Sequence, residues 1–203
     1  MAPSRAARRL ALTVLAALLV SALVAACGAS GPTAAPDPSA ACGGADTQRS
    51  PGFYPDLEAL LPASLAGGSP STRDSGRYCS PATLGPLRAA GYDQVRFAGE
   101  TFPATSQSGV SLIVYGAPGL TADQVGDAFR GGAGTGRKVE VVSDAPVTIA
   151  GRTGRRLEVI NGDTRQVIVA WPAAERDLVR IVIAADVSHA AIDAAVAALE
   201  GGG

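Results

Sequence analysis

The sequence predicts an α+β domain, an antiparallel sheet of about five or six strands with helices packed on it, preceded by a short helical extension. Three observations lead there. From Asp93 onward the apolar residues recur mostly at every second position, the period of a half-buried strand. Turn residues punctuate that stretch, Asn161-Gly162 giving a tight hairpin signal and Pro172 to Asp177 a longer polar one. Two segments of helical spacing interrupt or close the strands, and the order strand, helix, several strands, helix describes an antiparallel sheet with helices on it.

Folded sequence begins near Phe53. Pro55 occupies the position of a first-turn proline before Leu57, Leu60 and Leu61, and Pro62 stops the turn. After a Gly, Ser and Pro loop over 67–76, Ser80-Pro81 starts a second helix with Leu84, Leu87 and Ala90 on one face. Gly91 ends it, and Pro86 makes it short or irregular. Strands are predicted over 94–98, 109–116, 137–143, 155–161, 164–171 and 178–185. Thr121 with Gln124 forms a capping box for a helix carrying Val125, Ala128 and Phe129. Ser188 caps the last helix, which carries Ile192, Val196 and Leu199.

The N-terminus is of another kind. Arg5, Arg8 and Arg9 precede an apolar stretch from Leu10 to Val24, broken only by Thr13 and Ser21, and small residues follow it. That stretch falls short of the roughly 20 apolar residues a membrane-spanning helix needs. The closing run Leu23, Val24, Ala25, Ala26, Cys27 resembles the lipobox of bacterial lipoproteins. The resemblance implies a diacylglyceryl group on the Cys27 thiol, cleavage of a signal peptide, residues 1–26, after Ala26, and acylation of the new N-terminus. Two or three acyl chains anchor firmly where one binds marginally. The implied location is the outer face of the cytoplasmic membrane.

Residues 27–52 are almost devoid of large apolar side chains (GASGPTAAPDPSAACGGADTQRSPG after Cys27), the composition of a disordered tether to the domain at 53–203. Of three cysteines, lipidation of Cys27 leaves Cys42 and Cys79, an even pair expected to form a disulfide in an oxidising compartment. Such a loop closure is worth on the order of 3 to 4 kcal/mol in the chain-entropy view. Fixing Cys42 leaves 14 residues between it and Cys27, which stretch to about 45 Å and span about 20 Å as a flexible coil.

Loss of the three signal arginines takes 17 basic residues to 14 against 18 acidic ones, a mature net charge of −4. The longest basic clusters are pairs such as Arg155-Arg156, which sets nucleic acid aside as a partner. One histidine, His189, makes a histidine metal cluster impossible, and no cofactor or metal is expected. The glycine run 131–136 follows a helix and precedes a strand, the reverse of a phosphate loop, and reads as a flexible helix exit.

The runs SLIVYGAPGLTADQVGDAF, KVEVVSDAPVTIAGRTGRRLEV and RQVIVAWPAAERDLVRIVIAA, with the closing helix, resemble the PsbP-like fold of actinobacterial lipoproteins such as the LpqN group. The resemblance covers about half the chain. It implies a PsbP-like core over 103–203, used for noncatalytic protein or ligand interaction, with no catalytic residues to carry over. Residues 53–102 depart from that pattern as a family-specific extension.

Candidate chemistry rests on few residues. Glu140 and Glu158 lie on strands predicted to neighbour each other, the raw material of acid and base work. Alternation puts Arg156 and Glu158 on one face and Leu157 and Val159 on the other, so Arg156, Glu158, Arg165 and Arg180 mark solvated positions or cross-strand ion pairs, or else arginines that bind an acidic ligand. Trp171, the sole tryptophan, packs in the core or at a hairpin end, or, if exposed, anchors a partner. The binding candidates are therefore Arg156, Arg165, Trp171 and Arg180. The expected function is a noncatalytic, membrane-anchored binding module for an envelope protein or small molecule. The alternatives are a cell-envelope hydrolase or transferase using His189 or carboxylates, and a carrier holding a lipid or hydrophobic compound in an apolar cavity between sheet and helix.

Overall fold

The computed structural model describes Cys42 and residues 49–134 and 139–202. The proposed signal peptide, Cys27, most of the tether and Arg137 lie outside the described residues. The strands are β1 (Arg49–Ser50), β2 (Thr72–Tyr78), β3 (Val95–Pro103), β4 (Gly109–Gly116), β5 (Val139–Ile149), β6 (Arg152–Asn161), β7 (Thr164–Pro172) and β8 (Leu178–Ala185). They form one eight-stranded sheet in the order β1-β2-β3-β4-β8-β7-β6-β5, every pairing antiparallel. The helices are α1 (Pro55–Glu58), α2 (Pro81–Leu84), α3 (Pro86–Ala89), α4 (Ala122–Gly134) and α5 (His189–Gly201).

This corrects the expectation of five or six strands with packed helices behind a helical extension. The fold is dominated by its sheet, and among the described residues three of the five helices have only four residues. The missed strand β2 reads TRDSGRY: toward one face it buries Ser75 and Arg77, at 0% and 4% exposure, and its one large apolar-bodied side chain, Tyr78, packs on the other face at the strand's end, so no apolar alternation marks it. β1 sits in the stretch assigned to the tether, where its two residues pair Arg49 with Gly76 and Ser50 with Ser75. Residues from 72 onward thus belong to the same sheet as the rest, and β3 runs to Pro103, five residues beyond its predicted end at Ala98.

Two hydrophobic clusters cover the two faces. α1 and α5 lie on one, where Leu57, Leu112, Val182, Ile192, Leu199 and Trp171 are buried together. α2, α3 and α4 lie on the other, over Val95, Leu157, Val159, Ile168, Val179 and Ile181. The sheet therefore sits between helices, which explains why β8 reads as a nearly continuous apolar run.

The local signals act as their chemistry dictates. Thr121 N–H donates to Gln124 Oε1 at 3.0 Å and Gln124 N–H to Thr121 Oγ1 at 3.3 Å, a reciprocal capping box that starts α4. Ser188 Oγ accepts from Ala191 N–H at 3.2 Å and starts α5. The predicted second helix is two short ones, because Gly85 takes φ of +48° ahead of Pro86. In the β6–β7 hairpin Asn161 pairs with Thr164, so the two turn residues are Gly162, at φ +64°, and Asp163. A disulfide joins Cys42 to Cys79 with Cα atoms 5.6 Å apart, and ties the chain ahead of β1 to the end of β2.

Candidate functional site

The four binding candidates share the sheet face that α5 covers, but they separate into two groups. Trp171 and Arg180 are cross-strand partners on β7 and β8, exposed by 0% and 4%. Trp171 Nε1 donates to Glu200 Oε2 at 2.8 Å, and Arg180 Nη1 donates to the Leu199 and Glu200 carbonyls, each at 2.7 Å. Arg152 pairs with Glu200 as well. These groups close the last turn of α5, whose carbonyls would otherwise lack donors. Neither side chain is at the surface to meet a partner.

Arg156 and Arg165 stay near the surface at the other end of α5. Arg156 Nη2 lies 3.4 Å from His189 Nδ1, and Arg165 Nη2 lies 3.3 Å from His189 Nε2. Arg165 Nε donates to Glu158 at 2.5 Å, and this bond, opposed by burial, holds the Glu158 carboxyl below the usual glutamate range. Glu140, the other candidate carboxylate, is exposed on β5 opposite Ile160, while Glu158 stands opposite Ser143. The two carboxylates are not cross-strand partners. Among the described residues no group of three His, Cys, Asp or Glu side chains stands as metal ligands would.

The opposite face holds a hollow of about 400 Å³ between the α2–α3 pair and α4, lined chiefly by Tyr78, Leu84, Leu87, Tyr115, Val125 and Phe129. A second hollow of about 390 Å³ lies on the far side of α4, against Val139, Val159 and Ile168, and shares Ala128, Phe129 and Gly132 with the first. Both have the size and apolar lining of small-molecule sites. Small residues on α4 (Ala128, Gly132, Ala133) leave this space, where larger side chains would pack against the sheet. Burial, and then Tyr78, push the Tyr115 hydroxyl well above the normal tyrosine range, so it stays protonated and hydrogen-bonded to Tyr78.

A charged clamp holds α4 over the sheet. Arg155 donates through Nε and Nη2 to the two Asp144 oxygens, each at 2.6 Å, and through Nη1 to Asp127 of α4 at 2.6 Å. This bidentate pairing is the strong geometry for guanidinium and carboxylate, and it holds the Asp144 carboxyl below its ordinary value against a smaller opposing effect of burial. The disulfide sits beside the first hollow, since Cys79 directly follows Tyr78, one of its lining residues.

The hollow was not legible as a site in the sequence. Its walls come from four separate segments of the chain, and the local sign is the run of small residues in the second half of α4, read as a flexible exit. Gly131, Gly132 and Gly134 instead continue the helix, and residues 135–138 lie outside the described residues.

No protein-family model and no curated protein matches the chain. Among solved structures it is similar to the solution structure of cyanobacterial PsbP (CyanoP) from Synechocystis sp. PCC 6803. That match has 14% identity and a TM-score of 0.30, and covers 68% of this chain and 94% of that one. Similarity at this level decides neither family nor function.

Proposed function

We propose that this chain is a lipid-anchored, extracytoplasmic, PsbP-like lipoprotein that acts as a noncatalytic binding module, with a small hydrophobic molecule as its ligand. The observation that carries the reading is the hollow of about 400 Å³ beside α4, walled by aliphatic and aromatic side chains that include Tyr78 and Tyr115. Such a site gains affinity from apolar area and fixes orientation with few polar groups. The lipobox ending at Cys27 supplies the anchor. Because Cys42 is held next to Tyr78 through Cys79, the 14 residues between Cys27 and Cys42 keep the hollow within about 45 Å of an anchoring membrane.

The test is mass spectrometry of organic extracts from protein purified out of its native membrane, compared with Ala128→Trp, which fills the space shared by the two hollows. The expected result is a small apolar compound that copurifies stoichiometrically with the natural sequence and not with the variant. An empty natural protein together with a reproducible crosslinked envelope protein would replace the hydrophobic ligand with a protein partner. In the same preparations Cys27→Ala is expected to leave the membrane fraction.

A further inference from the structure

We propose that Arg156, His189 and Arg165 form a site for a phosphate group on the sheet face opposite the apolar hollow. The argument is one of donors and acceptors. Arg156 stands on β6 and Arg165 on β7, and their guanidinium groups approach the two nitrogens of one imidazole at 3.4 and 3.3 Å. A guanidinium has donors only, and a neutral imidazole has a single accepting nitrogen. At most one of these contacts is therefore a hydrogen bond, and the other sets two donors face to face. Three donor groups converge without enough acceptors among them.

The charge is also unbalanced at one member. Arg165 is neutralised by Glu158 at 2.5 Å, and its backbone N–H donates to Asp186 Oδ1 at 2.9 Å. Arg156 has no carboxylate within ion-pair distance among the described residues, in contrast to Arg155 beside it, which holds two. Its hydrogen-bond-range contact is the His189 ring, the Glu158 carboxylate acts on it only through space while bonding Arg165, and it is half-buried rather than fully hydrated. An oxyanion seated between the guanidinium groups, on the side away from Glu158, would accept from Arg156, from the remaining N–H groups of Arg165 and from the imidazole N–H, removing the donor conflict and giving Arg156 the contact ion pair it lacks. Guanidinium forks match phosphate geometry well. The phosphate comes either free in solution or as part of a lipid headgroup.

His189 is the only histidine of the chain, so its ring resonances report on the site without assignment. The full chain, purified without a histidine tag in nonionic detergent, is titrated with inorganic phosphate against sodium chloride of equal ionic strength, and separately with micelles doped with phosphatidylglycerol. The site predicts a saturable His189 shift that chloride does not reproduce, weakened about tenfold or more in Arg156→Gln, as loss of a charge-assisted bond requires, and unchanged in the exposed control Arg176→Gln. Saturation by inorganic phosphate identifies a free anion as the source, and saturation by phosphatidylglycerol alone identifies a headgroup. A response equal to that of chloride, or one that persists in Arg156→Gln, overturns the site.

Discussion

Trp171 and Arg180 face each other across β7 and β8, and both donate to the Glu200 carboxylate near the end of α5, at 2.8 and 3.4 Å. The sole tryptophan and a buried arginine are thus spent on fastening the C-terminal helix. Replacing Glu200 with alanine removes the acceptor from Trp171 and the counter-charge from Arg180, which keeps only backbone carbonyls and the more distant Glu175 at 3.8 Å. The expected cost is about 1.5–3 kcal/mol, that of a hydrogen bond to a charged group. Urea denaturation should show a lower midpoint with the slope unchanged, since the folded core remains.

The pair of half-buried Arg73 and fully buried Glu100 behaves differently. Glu100 is fully buried, bonded through Oε2 to Arg73 at 2.6 Å, and its Oε1 has no partner among the described residues. Arg73→Ala leaves that carboxylate buried alone, at an expected cost of about 3–5 kcal/mol, whereas the double change Arg73→Met with Glu100→Met is expected to be near neutral. A double-mutant cycle measures the coupling directly. Additive losses would show that the two side chains do not act as a pair.

Stability should depend on pH in two opposed ways. Arginine bonds hold the folded pKa of Asp144 and Glu158 low, and at Glu200 the bonds from Trp171 and Arg152 outweigh the rise that burial causes. Groups with depressed folded values contribute stability that is complete above the unfolded values of 3.8 for aspartate and 4.5 for glutamate, and that is lost as pH falls through the folded ones. Glu100 has the reverse sign. Burial raises it above 4.5 despite Arg73, so its contribution is present below 4.5 and declines as pH climbs through the folded value. Denaturation midpoints from pH 3 to 7 should therefore rise overall with pH. Glu100→Gln should gain on the natural protein as pH increases, and a constant difference between the two would remove Glu100 from the account.

The disulfide closes a span of 37 residues, worth about 4 kcal/mol in the loop-entropy model. Cys42→Ser with Cys79→Ser is expected to lose stability of that order. The loss should concentrate at the β1–β2 edge of the sheet, where among the described residues the short β1 pairs with β2 alone. Amide hydrogen exchange locates it: faster exchange in β2 with β7 and β8 unchanged is the expected pattern, and uniform acceleration would mean that the bridge stabilises the whole sheet.

These relationships differ in how far the chain announces them. β4 and β8 have the bounds that their alternation and flanking turns predict, and the caps at Thr121 and Ser188 are used as their side chains suggest. Those signals are local. β2 escaped because its inward side chains are polar and are satisfied by partners far along the chain, as when Ser75 Oγ accepts from Tyr54 N–H at 2.7 Å and donates to Glu58 at 2.6 Å. The role of Arg180 escaped for the same reason. Charge on a strand reads as exposure unless the acceptors 19 to 22 positions away are known.

The closest packing under the C-terminal fastening gives the sharpest test. A Cβ added at Gly154 would collide with the Ala170 carbonyl oxygen and lie 2.7 Å from Trp171 Cβ, so β6 passes too close to β7 for any side chain. The obstacle on one side is backbone, which has no rotamer to yield. Gly154→Ala is therefore expected to cost about 1–3 kcal/mol or more, the range for overpacking a tight interior. It should also displace Trp171, visible as a change in tryptophan fluorescence and as weaker protection of α5. Gly132→Ala provides the contrast, because a Cβ there meets nothing within 4 Å and lies within α4. It should stabilise by up to about 1 kcal/mol through helix propensity alone. Equal effects at the two positions would mean that the sheet relaxes around Gly154, and that Trp171 is held by its bond to Glu200 rather than by the close approach of β6.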